Sequence, residues 1–160
     1  TLTRLCAALG MDGSEYRRLV AGSFLVSCDN AHAVHPNHGE FADRNHTVRM
    51  NGGVVIKYNA NQRYTSDAVS AGIFRRICES AGVPVQYYAN RADMPGGSTL
   101  GNISNTQVSL NAVDIGLAQL AMHSPFETAG AADTASLVKA LTAFFEHSLV
   151  AERDGVYRFL

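Results

Sequence analysis

Three stretches of this chain, and one glycine-rich loop, gather side chains that could do chemistry. The first is Ser27-Cys28-Asp29-Asn30-Ala31-His32-Ala33-Val34-His35-Pro36-Asn37. Asp29 stands just past a short, mostly apolar segment, Ser23-Phe24-Leu25-Val26-Ser27, that reads as a buried strand. In α/β sheets ligands bind in the crevice beyond the strand ends. A carboxylate there offers a hard anionic oxygen to a divalent cation. His32 and His35 could add imidazole nitrogens or orient the carboxylate. The same residues also suit a polar loop with an Asp cap and surface histidines.

The second stretch is Leu120-Ala121-Met122-His123-Ser124-Pro125-Phe126-Glu127. Ser124 and Glu127 fit the S/T-x-x-E capping pattern, and Pro125 suits a first helical position. The pattern predicts His123 at the start of a short helix, held in a fixed direction, as a metal ligand would be. The alternative is a buried histidine satisfied by backbone.

The third is Lys57 in Val55-Ile56-Lys57-Tyr58. Burying an ammonium costs several kcal/mol unless it is paired. Lys57 therefore either points into a pocket, where it could hold an acidic side chain, or stands solvated on an edge strand. The loop Asp93-Met94-Pro95-Gly96-Gly97-Ser98-Thr99-Leu100-Gly101 lets backbone N–H groups approach an oxyanion or carboxylate, or is an ordinary turn. It has no P-loop lysine, so a nucleotide is not indicated.

These residues need a scaffold, and the pattern around them predicts one. Residues 14–20 read as a short helix with Ser14 as N-cap. Residues 30–52 read as a long polar loop, of the kind that is functional or disordered in a compact domain. Val54 to Tyr58 is a β-branched strand. Residues 66–81 form a helix, with Val69, Ile73, Ile77 and Ala81 four apart, Ser66 at its start, and Gly82 and Pro84 beyond its end. Strands follow at Val83 to Tyr88 and Val108 to Ile115. A last helix opens at Asp133 or Thr134 and runs to about residue 148, and Val156 to Phe159 reads as a terminal strand. Strands alternating with helices predict an α/β fold with a layered α/β/α sheet, residues 1–160 being one portion of a domain.

The bulk numbers agree. The chain has 160 residues, 46% hydrophobic and 17% charged, enough apolar content for a core. A net charge of −1 suggests neither a nucleic-acid nor a membrane partner. No apolar run approaches the roughly 20 residues of a membrane helix. Three widely spaced cysteines, without a CxxC pair, read as free thiols in a reducing cytoplasm. Of six histidines, His32, His35, His38 and His46 crowd into one loop. The N-terminus has neither an initiator Met nor the apolar stretch of a signal peptide, which points to a processed or truncated chain.

Taken in order, four motifs resemble one family. Asp29-x-x-His32-Ala33-Val34-His35-Pro36-Asn37 is followed by Val55-Ile56-Lys57-Tyr58-Asn59-x-x-Gln62-Arg63-Tyr64. Asp93-Met94-Pro95-x-Gly97-Ser98-Thr99-x-Gly101 and Gln119-Leu120-Ala121-Met122-His123-Ser124 come after. From about residue 14 to 148 the chain resembles the aspartyl aminopeptidases, co-catalytic zinc exopeptidases. The resemblance implies the C-terminal part of a zinc-exopeptidase catalytic domain, with two divalent metals, typically zinc, sharing a bridging carboxylate. It implies Asp29 as a terminal ligand to one metal and His123 as a ligand to the other. Lys57 would face the pocket for an acidic P1 side chain, with His32, Met94, Gly97 and Ser98 nearby. The implied reaction is removal of N-terminal Asp or Glu from a peptide substrate by metal-activated water, in a cytoplasmic, tetrahedral homo-oligomer.

Gly96, where the family often has Cys, and Pro125-Phe126-Glu127 depart from the pattern. More is missing than altered. The family's other metal-binding histidine, its bridging Asp and a Glu-Glu pair containing the general base lie far upstream. Before Asp29 this chain has only Asp12 and Glu15 as acids and no histidine. The resemblance therefore implies that no catalytic base stands in this chain and that an N-terminal half of the same protein supplies it. Two other readings stand beside this one: a non-catalytic scaffold of the same fold, and a small metal-binding domain built on the 32–46 histidines.

Overall fold

Local pattern and tertiary demand together set the elements of this chain. The structure, a computed structural model, describes residues 1–153 and 155–160. Along the chain run helices α1 (Leu2–Ala8) and α2 (Gly13–Ala21), strand β1 (Phe24–Cys28), a short β2 (Ala31–His32) and a 3-10 turn at Gly39–Phe41. Then come β3 (Val54–Tyr58), α3 (Ala68–Ser80), β4 (Val85–Ala89), α4 (Leu100–Gln107), β5 (Asn111–Gly116), β6 (Ala118–Leu120) and β7 (Thr128–Ala129). Helix α5 (Ala131–Glu146) and the hairpin β8 (Leu149–Arg153) and β9 (Val156–Phe159) complete it.

The main sheet has the order β1-β5-β3-β4. Strands β1 and β5 run parallel, as do β3 and β4, while β3 is antiparallel to β5. One face carries Val54, Ile56, Val113 and Ile115, packed on Phe74 and Cys78 of α3 and Ala140 of α5. Each such large side chain contributes about 1.5–3 kcal/mol by leaving water. On the other face Val55 joins Ala31, Val48 and Ala118. That face is covered by α4, which lies against β1 and β5, and by a small sheet of order β2-β6-β7. The expected layered α/β architecture is present, with a second layer that is part helix and part small sheet.

Several expected boundaries shift, for identifiable reasons. Helix α2 is capped by Asp12 in a capping box with Glu15, not by Ser14. Helix α3 is capped by Asp67, with Ser70 reciprocating, because the Ser66 hydroxyl instead accepts from the Asp114 N–H at 2.9 Å. Helix α4 is unexpected from its polar, Asn- and Ser-rich sequence. Tertiary anchoring explains it: the Thr99 hydroxyl at its N-cap donates to Asp114 at 2.6 Å. Strand β5 consequently starts at Asn111 rather than Val108. Helix α5 opens two or three residues earlier than predicted, at Ala131, and ends at Glu146, about two residues before the expected end. Strand β1 is an edge strand with mostly half-buried residues, not the fully buried strand its composition suggested.

Candidate functional site

The centre of the polar face is a row of four residues crossing the sheet. Ser27 is paired with Asp114, and Lys57 with Tyr88. The antiparallel register Ile56 to Ile115 sets Lys57 beside Asp114. Lys57 is 1% exposed and Asp114 is 0% exposed. Strand β3 is interior, so the solvated edge-strand alternative for Lys57 is wrong. Its Nζ donates to the carbonyls of Asp29 at 3.1 Å and Asn30 at 3.3 Å and lies 4.9 Å from the centre of the Tyr64 ring. Burial pulls the Lys57 ammonium below its ordinary pKa, and the field of Asp114, then of Asp29, opposes that pull. Asp114 is itself satisfied by the Thr65 N–H at 2.6 Å and by the hydroxyls of Thr65 at 2.8 Å and Thr99 at 2.6 Å.

The row fixes Asp29 through its backbone. The Asp29 N–H donates to the Ile115 carbonyl at 3.0 Å, and its own carbonyl receives Lys57. A Cβ on Gly116 would lie 1.7 Å from that carbonyl oxygen, so only glycine permits the approach. The Asp29 carboxylate points outward from this pinned backbone and accepts the Asn30 N–H at 2.8 Å.

His32 and His123 are joined through the small sheet. His32 of β2 pairs with Gln119 of β6, and Asn30 Nδ2 donates to Gln119 Oε1 at 3.1 Å. His123 follows three residues after β6, exposed, in a turn where both Ala121 (φ 54°) and His123 (φ 69°) are left-handed. Such backbone in non-glycine residues is uncommon and gathers at functional sites. The expected short helix after His123 does not form. Glu127 reaches past Ser124 to accept the His123 N–H, and Ser124 Oγ accepts the Phe126 N–H at 3.1 Å, so the capping pattern closes a turn instead. Partial burial first, then His123, then Lys57, pull His32 below the ordinary histidine value.

Asp29, His32 and His123 thus lie along one end of the sheets, with donor types that suit zinc. Among the described residues, no group of three or more His, Cys, Asp or Glu side chains is close enough to hold a metal ion. The donor chemistry of Asp29 and His123 suits zinc, but two such side chains are not a whole ligand set.

Of the three residues along this end of the sheets, His32 also lines a cavity of about 340 Å³. Its lining includes His32, His35 and His38, Tyr88 and Arg91, and Met94 and Gly97. Three of the five predicted substrate residues, His32, Met94 and Gly97, meet here. Ser98 does not line the cavity and instead accepts from Asn102 Nδ2 at 3.0 Å. Lys57 does not line it either. Sequence reasoning missed Asp114 and Arg91. An acid inside the apolar run Ala112-Val113-Asp114-Ile115 was the available signal for the first.

Residues 1–145 match the family model described as aminopeptidase I zinc metalloprotease (M18). The chain belongs to the M18 family. Its M18 relatives include the protein named "Probable M18 family aminopeptidase 2" of Pseudomonas paraeruginosa strain PA7, 50% identical over 137 residues, which are 86% of this chain and 32% of the relative. The one from Azotobacter vinelandii is 46% identical over 149 residues, 93% of this chain and 35% of the relative. The chain therefore spans about a third of the length of the curated M18 proteins it matches. Among solved structures, a chain of the cryo-EM structure of the Ape4 and Nbr1 complex superposes with TM-score 0.87 and 37% identity, covering 91% of this chain and 27% of that one. The S. cerevisiae mApe1 dodecamer superposes with TM-score 0.72 and 29% identity, covering 81% and 28%. The α/β fold of this chain is that of a C-terminal part of M18 structures. The hairpin β8–β9 lies outside the residues that the M18 model matches.

Proposed function

We propose that the whole protein carrying this chain is a zinc-dependent aminopeptidase, and that this chain supplies one side of its active site. In this reading Asp29 and His123 each bind one of two divalent metals, and the remaining ligands and the general-base Glu stand on sequence outside these 160 residues. When bound, paired metals polarise the scissile carbonyl and lower the pKa of a water nucleophile. The chain's own part is to orient. Lys57 holds the Asp29 backbone, the β2–β6 ladder holds His32 opposite His123, and the cavity that His32 lines receives the N-terminal residue of a peptide. His32, neutral at pH 7, can accept a hydrogen bond from the substrate amine or amide.

The preferred N-terminal residue in this reading is acidic. What supports it is a cavity lined by one guanidinium, Arg91, and by three histidines whose rings can donate N–H groups to a carboxylate, with Asp43 as its one acid. Lys57, with Met94, Gly97 and Ser98, completes the substrate side, acting on the cavity through its field. Assembly into a large cytoplasmic homo-oligomer, like the dodecamer of mApe1, belongs to the same reading. The single observation that carries the proposal is the M18 match over residues 1–145.

The test uses the whole protein. Zinc per protomer and cleavage of Asp-, Glu-, Leu- and Lys-p-nitroanilides are measured for wild type, Asp29→Ala and His123→Ala. The reading expects zinc in wild type, fastest cleavage of the acidic pair, and loss of zinc and activity in both variants. Full zinc retention by both variants would sink the ligand assignment. The incomplete donor set of the described residues is equally compatible with a second reading, a scaffold of this fold without chemistry. A wild type that assembles without zinc or cleavage would establish it.

A further inference from the structure

The loop bearing His32, His35 and His38 and the loop bearing His123 end at the same place. The first returns to the sheet through Asn51, Gly52 and Gly53 into β3. The second returns through Gly130 into α5. Asp133, in the first turn of α5, is 1% exposed. Its Oδ2 accepts the Asn51 N–H at 2.6 Å and its Oδ1 accepts the Gly53 N–H at 2.8 Å. In return Asn51 Oδ1 accepts the Ala132 N–H at 3.1 Å, one of the orphan donors at the start of α5. Asn51 (φ 61°) and Gly53 (φ 96°) are both left-handed, as wrapping around one carboxylate requires. The fit is tight: a Cβ on Gly130 would lie 2.5 Å from the Asn51 nitrogen and 2.6 Å from Asp133 Oδ2.

We infer that Asp133 and Asn51 form a lock that sets the position of the His32 loop against the His123 loop, making both positioning residues for the metal and substrate side of the site. The physical argument is one of constraint. Each loop is anchored at its start by the sheet, through the Asn30–Gln119 bond and the β2–β6 ladder. At their far ends the knot around Asp133 ties them to each other. Other contacts also hold each segment to the sheets, the Gln86 bonds to Arg49 for the first and the β6–β7 pairing for the second, but the Asp133 knot is what joins their far ends to each other. A buried carboxylate is a costly way to close a turn, and here it satisfies two N–H groups of one loop from the helix that terminates the other.

The inference rests on the aminopeptidase reading, and the experiment separates the two. In the whole protein, Asp133→Asn keeps the shape and removes the charge. Asn51→Gly keeps the left-handed backbone and removes only the bond to Ala132. Hydrogen–deuterium exchange is followed on peptides covering 33–51 and 121–130, with 149–159 of the hairpin as an internal control. Zinc affinity by chelator competition, kcat and KM are measured on the same folded material. The expected result is faster exchange in both loops together and an unchanged hairpin. Zinc binding should be weaker by about ten-fold, with kcat reduced more than KM is raised. Asn51→Gly should show the same pattern more weakly, which keeps the test open if Asp133→Asn does not fold. Folded variants with unchanged exchange in either loop, or with unchanged zinc affinity and kcat, would overturn the lock. A wild type without zinc or cleavage would instead overturn the reading beneath it.

Discussion

Lys57 holds Asp29 by its backbone and not by its carboxylate: the ammonium donates to the Asp29 carbonyl at 3.1 Å, from a side chain that is 1% exposed. This arrangement turns a buried charge into a brace for the residue proposed to bind metal. The carboxylate of Asp29 stays outward while its main chain is fixed from below.

Lys57→Met should therefore act on stability and on metal together. Hydrogen bonds to a charged group are worth about 1.5–3 kcal/mol each, and the variant leaves two carbonyls without their donor. The expected loss is about 2–3 kcal/mol after the released carbonyls find partial compensation, seen as a lowered urea midpoint. Zinc retention should fall with it. If Lys57 served only to attract an acidic substrate, KM for Asp-p-nitroanilide alone would rise and the urea midpoint would not move. That outcome would contradict the brace.

Gly116→Ala tests the same contact from the other side. A methyl 1.7 Å from the Asp29 carbonyl oxygen meets the backbone of Asp29 and Asn30 and has no rotamer by which to escape. The expected cost is about 3 kcal/mol or more, at the upper end of overpacking. Gly97, on the cavity wall, is the contrast: its Cβ would meet nothing within 4 Å. Gly97→Ala should stay within about 0.5 kcal/mol of wild type in thermal unfolding. An equal loss in both variants would refute the distinction.

How much of this was legible in the residues depends on whether local pattern or tertiary contact decides each element. Strand β3 stands where its β-branched run predicted, because burial on both faces suits that composition. Helix α3 likewise follows its four-residue apolar repeat. Helix α4 was invisible, since its reason lies 15 residues away, in the Thr99 bond to Asp114. The turn at His123 misled for the same reason: Ser124 and Glu127 have capping chemistry, but Glu127 finds the His123 N–H instead. Asp29, His32 and His123 stand in motifs legible along the chain, and their roles are part of the proposal. Asp133 and Arg91, which touch other loops through backbone atoms, carry no local signal of that role.

His32 supplies a pH prediction. Its folded pKa is lowered from the ordinary 6.5, chiefly by partial burial and then by His123 and Lys57. The unfolded chain therefore binds more protons than the folded one in the window below 6.5. Stability associated with neutral His32 is complete above that value and is lost as pH falls from 6.5 through the lower folded pKa. Titration of the histidine Cε1–H signals by NMR, in the zinc-free whole protein, should place the His32 midpoint below 6.5. Replacing His123 by Ala should move that midpoint upward. A midpoint at or above 6.5, or one indifferent to His123, would show that the two rings do not share a field.

Arg91 separates cavity shape from stability. Its guanidinium pairs with Asp93 in a two-pronged contact, Nε to Oδ1 and Nη2 to Oδ2, both at 2.7 Å, and Nη1 donates to the Glu40 carbonyl. The side chain is 40% exposed, so the ion pair itself is worth only about 0.2–1 kcal/mol after solvent screening. What it adds is a strut between the Glu40 turn and the Asp93 loop, the two segments that flank the cavity. Lysine has the charge but not the fork, and cannot serve both partners at once. In the whole protein, Arg91→Lys should change the thermal midpoint little and raise KM for acidic aminoacyl substrates several-fold, with kcat nearly kept. Arg91→Ala should raise KM further, losing both charge and strut. Steady-state kinetics on Asp- and Leu-p-nitroanilide would check this, because a lysine variant with wild-type KM would leave the charge of Arg91, and not its fork, as the property that matters.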